Sequence, residues 1–231
     1  MGSIYNQSIQ LIGTILIIYL FRKYIDRESF TSIGLSLKKP FKRDMLIGFL
    51  LGFGLIFTFF LLFLLTGLIS VTSIQFPVSQ LIILLVVFII AAMQEELYSR
   101  GYMLLNTMHT IKNRYIALVI VSAFFAFMHI DNPNMSYIAL FNLFLAGIFL
   151  GIYYIHKKNI WFPFGLHLGW NLTLGTVVGS NVSGFSLPSI IKIDILGSDL
   201  LTGGKFGFEG SIITTIFLLF ITFMIDKKYK E

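Results

Sequence analysis

Leu81-Ile82-Ile83-Leu84-Leu85-Val86-Val87-Phe88-Ile89-Ile90-Ala91-Ala92-Met93-Gln94-Glu95-Glu96-Leu97-Tyr98-Ser99-Arg100 is the stretch on which the reading of this chain turns. Every residue from Leu81 to Met93 is apolar. With its neighbours the stretch predicts a helix over about 79–105, and about 20 apolar residues suffice to cross roughly 30 Å of hydrocarbon. Near its end stand two adjacent carboxylates and an arginine. Ionisable side chains in a bilayer cost about 2.5–3.5 kcal/mol each on insertion scales and mark functional sites. The first conclusion is a membrane helix that carries a working acid.

The rest of the chain agrees. Its 231 residues are 56% hydrophobic and only 12% charged, where a soluble domain carries about 25% charged residues. Mean hydropathy is +0.86. Six further candidate spans lie at about 4–21, 45–69, 115–131, 136–155, 160–180 and 210–225. The expected fold class is all-α, a polytopic membrane helix bundle of about seven transmembrane helices, with eight as the alternative count. No polar linker divides the chain, so residues 1–231 read as a single transmembrane domain. There is no cysteine, which excludes disulfides, thiolate ligands and cysteine nucleophiles. Residues 2–21 lack a basic start and read as a retained first span, not a cleaved signal.

The net charge of +6 suggests nucleic acid only until the charges are placed. They are scattered between apolar segments, so no nucleic-acid partner is expected. With the N-terminus outside, the outer loops hold only Lys192 and Lys205, and the other fifteen of the seventeen Lys and Arg fall on the cytoplasmic side. Positive loops stay in the cytoplasm, so the N-terminus is expected out and the C-terminus in. The basic run from Lys38 to Arg43 is expected on anionic headgroups. The stretch 181–209, with Asp194, Asp199 and Glu209, reads as an outer loop with a short interfacial helix around Leu187 to Leu196. No internal repeat of the transporter kind is visible.

Three polar constellations interrupt the apolar segments. Residues i and i+4 share a helix face, so Glu96 stacks on Arg100 while Glu95 points elsewhere, free to act on a water or a proton. Phe125 lies one turn before His129 and can pack on its ring. His167 and Asn171 again share a face, and Gly165 and Gly169 beside them let another helix approach closely. At 1.5 Å per residue, His167 lies about 12 Å from the cytoplasmic end, Glu95 about 15 Å and His129 about 21 Å. His129 joins the others only if the fourth span is tilted or starts inside the membrane. His109 and His156 are expected to be solvated. Two carboxylates, two imidazoles and a carboxamide in a membrane suit a hydrolase.

Together these stretches resemble the intramembrane CAAX-protease and bacteriocin-processing family, also called CPBP, Abi or the CAAX protease self-immunity family. Its pattern is Glu-Glu-x-x-x-Arg, then Phe-x-x-x-His, then His-x-x-x-Asn or Asp. Here Glu95, Glu96 and Arg100, Phe125 and His129, and His167 and Asn171 supply it in order, over about residues 80–180. Ser99 departs from the pattern, where an aromatic often precedes the arginine. The resemblance implies an α-helical membrane endopeptidase whose cavity opens toward the cytoplasmic side. It implies that Glu95 activates the attacking water with help from His129, that His167 and Asn171 stabilise the oxyanion, and that Glu96 and Arg100 order the site. Whether such sites use a metal is open; zinc is the candidate cofactor, with Glu95, His129 and His167 as candidate ligands. There is no His-Glu-x-x-His motif, so these ligands would come from separate helices. Composition points to a bacterial cytoplasmic membrane, with peptide pheromones, bacteriocin leaders or membrane proteins as substrates. The alternative is a non-catalytic immunity protein or signalling scaffold of the same family; a proton-coupled transporter is a third class. Nothing in the sequence indicates an oligomeric state.

Overall fold

In lipid every backbone donor and acceptor must be satisfied within its own segment, which leaves the helix as the solution for an apolar run. The computed structural model describes residues 4–37 and 40–230, and the runs are helical. They form α1 (Ile4–Leu20, continued as π-helix to Asp26), α2 (Phe41–Leu65), α3 (Val78–Glu96), α4 (Leu105–Ile111), α5 (Arg114–Phe127), α6 (Tyr137–Lys157), α7 (Trp161–Leu172), α8 (Asp199–Thr202) and α9 (Ile212–Tyr229). A π-helical stretch, Leu97–Leu104, joins α3 to α4 without a break, and a second, Thr173–Val177, extends α7. Among the described residues, four helices are long and apolar enough to cross a membrane: Ile4–Asp26, Phe41–Leu65, Val78–Ile111 and Tyr137–Lys157. Of the basic run expected at headgroups, Lys38 and Lys39 lie outside the described residues.

The closest packing in the bundle is between α2 and α7. A Cβ on Gly48 or Gly52 would sit 2.2 or 2.3 Å from the carbonyl oxygens of Phe162 and Leu166. A Cβ on Gly165 or Gly169 would sit 2.1 or 2.3 Å from those of Met45 and Phe49. Glycines spaced by four on both helices thus let the backbones touch, as small residues do between membrane helices. This fixes α7, which carries His167 and Asn171.

One expectation fails in the outer stretch. Residues around Leu187 to Leu196 form no helix: Ile191–Ile195 is a strand, β2, paired antiparallel with β1, Ile69–Ile74. The sequence Ile191-Lys192-Ile193-Asp194-Ile195 alternates with period two and uses β-branched residues, the strand signature. The fold is therefore all-helical except for this two-stranded sheet. α2 stops at Leu65, earlier than the expected 69, because the chain turns into β1.

The two ends of the bundle differ. At one end, α1 and α2 are joined through a turn at Phe30–Ile33 that tucks beneath the helices. Tyr154 Oη donates to Ile33 O at 3.0 Å, Trp161 Nε1 to Ser36 O at 3.0 Å and Ile160 N to Gly34 O at 3.2 Å. Gly34 adopts φ +99°, and a Cβ there would meet Lys158 O at 2.9 Å. Ile33, Leu104, Tyr154 and Ile160 are fully buried around this turn. The same end holds His156, which is buried and bonded through Nε2 to Asp226 at 2.7 Å, not solvated as expected. At the other end the sheet and the segment 178–211 lie over the helices.

Candidate active site

Glu96 and Arg100 are 0% and 1% exposed, and the guanidinium Nη1 lies 3.0 Å from Glu96 Oε1. A buried pair is stable only when its remaining donors are met. Nη1 also donates to Ser99 Oγ at 2.8 Å, and Nη2 donates to Gly147 O at 3.1 Å. The Phe125 ring lies under the guanidinium at 4.6 Å, a cation–π contact. A Cβ on Gly147 would meet Ser122 at 2.8 Å, so glycine is what lets α5 and α6 close around the arginine.

The imidazoles are oriented from behind. His167 Nδ1 lies 2.9 Å from Glu96 Oε1, and His129 Nδ1 lies 2.7 Å from Phe125 O. A carbonyl oxygen only accepts, as does a carboxylate, so each Nδ1 carries a proton. Both Nε2 atoms then face Glu95: Oε2 stands 3.8 Å from His129 Nε2 and 3.9 Å from His167 Nε2. Glu95 Oε2 is buried without a hydrogen-bond partner among the described residues. The Phe125 and His129 rings pack at 4.6 Å. His129 lies in the turn after α5, which ends at Phe127, and its amide donates to Ala126 O; it reaches Glu95 despite the depth expected from the sequence.

Glu95, His129, His167 and Asn171 line one cavity of about 680 Å³. Its other walls come from α1, α6, α9 and the 178–211 segment, with Gln7, Gln10, Phe149, Ser183 and Glu209 among the lining residues. Glu96 and Arg100 stand behind it. The structure thus gathers all six residues singled out from the sequence, four at the cavity wall and two in support.

Donor types suit zinc, since two imidazole nitrogens and a carboxylate oxygen with both Nδ1 positions tied is a familiar ligand arrangement. The spacing does not suit it: among the described residues no three such side chains are gathered closely enough to hold a metal ion.

Two participants were not legible as such in the sequence. Ser99, noted there as a departure from a pattern, is fully buried; it accepts from Arg100 and donates to the backbone carbonyl of Glu95, bracing the turn that runs from Glu95 to Arg100. Glu209 looked like an outer-loop acid. It accepts from Trp170 Nε1 at 2.9 Å and from Ser183 N at 2.6 Å, tying the covering segment to α7 beside Asn171. The signal available was its setting, Phe206-Gly207-Phe208-Glu209-Gly210, apolar on both sides. Burial pushes the Glu209 carboxyl above its usual range, against the donations from Ser183 and Trp170.

Residues 77–173 match a known family, described as Rce1-like, type II CAAX prenyl endopeptidase Rce1-like. That range contains all six site residues, and the match bears out the resemblance read from the three motifs. No curated protein and no solved structure matches the chain. The family is one of proteases, and with its apolar helices the chain is a multi-pass membrane protein similar to the CAAX intramembrane proteases.

Proposed function

We propose that this membrane protein is an endopeptidase that hydrolyses peptide bonds of membrane-associated peptides or proteins with a water activated by Glu95. The observation that carries the reading is the placement of Glu95 Oε2 opposite two Nε2 atoms whose partner nitrogens are already committed. Such a carboxylate, half-buried with Oε2 enclosed and without a hydrogen-bond partner among the described residues, is available as a base.

In this reading Glu95 takes one proton from the attacking water, and His129 Nε2 accepts a hydrogen bond from the O–H that stays with the water oxygen. The water oxygen bonds to the scissile carbonyl carbon, and negative charge collects on the carbonyl oxygen. The Asn171 carboxamide and His167 Nε2 face that oxygen; Glu96 on Nδ1 supports a proton on both ring nitrogens, the form that donates from Nε2. Collapse of the intermediate breaks the C–N bond, and the proton held by Glu95 passes to the leaving amine. Arg100 keeps Glu96 in place through the whole cycle. No step calls for zinc, and metal analysis of purified protein with a cleavage assay in chelator checks this: activity retained with less than one equivalent of metal is expected.

The same reading has the chain crossing a bacterial cytoplasmic membrane seven times, by α1, α2, α3 with α4, α5, α6, α7 and α9. The N-terminus is outside and the basic ends are in the cytoplasm, as the distribution of Lys and Arg supports. The catalytic core lies within about 80–180. Comparing the proteomes of membranes carrying wild type and Glu95→Gln tests the function. A peptide or protein that accumulates uncleaved in the variant is expected; identical profiles overturn the reading in favour of an immunity or scaffold role.

A further inference from the structure

We propose that Glu209 is a positioning residue for His129: it latches the tight turn 182–185 against the turn that carries His129, and so holds that imidazole toward Glu95. This rests on the protease reading, and on residues beyond 77–173, the stretch that matches the family. Three observations carry it.

The first is the need. His129 lies past the end of α5, and the turn it belongs to is exposed at Asp131, Pro133 and Asn134. Its Nδ1 is bonded to Phe125 O at 2.7 Å and its amide to Ala126 O at 3.0 Å. Both bonds are local, so they set the ring's rotation and not the turn's place relative to α3 and α7. The second is the contact that sets that place. Val182 N donates to Phe185 O at 3.0 Å and Phe185 N to Val182 O at 2.9 Å, with φ +48° at Ser183 and +88° at Gly184. Two successive positive φ values make a compact two-residue hairpin turn. Gly184 lies against the turn after His129: a Cβ there would overlap Pro133 O, and Asn134 Nδ2 donates to Gly184 O at 3.4 Å. Gly184 N donates to Phe206 O at 2.9 Å, and Phe206 packs in one buried cluster with Phe125 and Leu143. The two turns line the cavity together, with Met128 and Asn132 from one and Ser183 and Phe185 from the other.

The third is the latch itself. Glu209 Oε2 accepts from Ser183 N at 2.6 Å and from Ser183 Oγ at 3.1 Å, and Oε1 accepts from Trp170 Nε1 at 2.9 Å. Both oxygens are committed to protein donors, which suits Glu209 to holding and not to reacting. Its backbone is fixed from two helices. Asn142 Nδ2 on α6 donates to Glu209 O at 2.7 Å and to Ser211 O at 2.8 Å, and Thr215 Oγ1 on α9 donates to Asn142 Oδ1 at 2.6 Å. Trp170 packs edge-on against Phe59 and Phe149. Contacts thus run unbroken from α6, α7 and α9 through Glu209, Ser183 and Gly184 to Pro133 and the His129 turn. A carboxylate is what this place requires. A carboxamide accepts on one oxygen, so in Glu209→Gln its NH2 would face either Trp170 Nε1 or Ser183 N, donor against donor.

The chain has no cysteine, so Asn132→Cys reports on the His129 turn without background. Its rate of maleimide labelling in detergent is measured with and without Glu209→Gln. Labelling several-fold faster with Glu209→Gln is expected, and an unchanged rate overturns the latch whatever the protein catalyses. The consequence for catalysis is read with a peptide carrying the cleavage site found in the Glu95→Gln membranes. Glu209→Gln should lower kcat about 10–10²-fold with KM near wild type, as a slightly displaced catalytic group does. Gly184→Ala, whose Cβ would push the two turns apart, should do the same, while Gly67→Ala, at φ +71° with nothing within 4 Å, should not. The factor lost in Glu209→Gln should vanish in a His129→Ala background and persist in an Asn171→Ala one. A factor that persists with His129→Ala, or a fall in kcat matched by loss of folded protein, overturns the positioning role and leaves the protease reading standing. Absence of cleavage by wild type overturns the protease reading and the catalytic role of Glu209 with it.

Discussion

Arg100 is the largest side chain wholly enclosed by the protein, and its role is to make a buried carboxylate tolerable. Removing one partner of such a pair leaves an uncompensated charge and costs about 3–5 kcal/mol. Arg100→Ala should therefore lower the thermal midpoint of detergent-solubilised protein sharply, and Arg100→Lys should recover only part, since an ammonium cannot reach Glu96, Ser99 and Gly147 in one planar fork. Glu209 makes a different prediction. Its folded-state value lies above the unfolded one near 4.5, so the folded state holds the proton more tightly. Its contribution is fully present below that value and is lost as pH rises through the raised one. Thermal midpoints measured from acid to neutral pH should fall more steeply in wild type than in Glu209→Gln. At this scale the sequence was informative where a residue type was costly, as with Glu95, Glu96, His129 and His167. It was silent where the role depended on a carbonyl or a loop folded back from elsewhere, as with Ser99 and Glu209.

Among the elements, α2 and α7 set the position of His167 and Asn171. At Gly52 and Gly169 a Cβ would press on backbone oxygens 2.3 Å away, which cannot swing aside as a side chain can. Overpacking of this kind costs about 1–3 kcal/mol. Gly169→Ala should lower both the thermal midpoint and the cleavage rate, while Gly54→Ala on α2, with nothing within 4 Å, should change neither. Gly165 and Gly169 announced a close helix contact in the sequence. Their partner was hidden, because Gly48 and Gly52 sit in a run of Phe and Leu that carries no polar mark. The helix placed at Leu187 to Leu196 missed the alternation of Ile191 to Ile195, since β2 exists only by pairing with β1 more than a hundred residues earlier.

At the scale of the molecule, three motifs on separate helices meet at Glu95, with His129 supplied by the turn after α5 and His167 by α7. The convergence on Glu95 is the centre of the reading, and a rate tests it. Hydrolysis of an identified substrate by reconstituted wild type and Glu95→Gln, matched for thermal midpoint, should differ by about 10²–10⁴-fold, the usual contribution of a positioned general base. Equal rates would contradict Glu95 as the group that activates water.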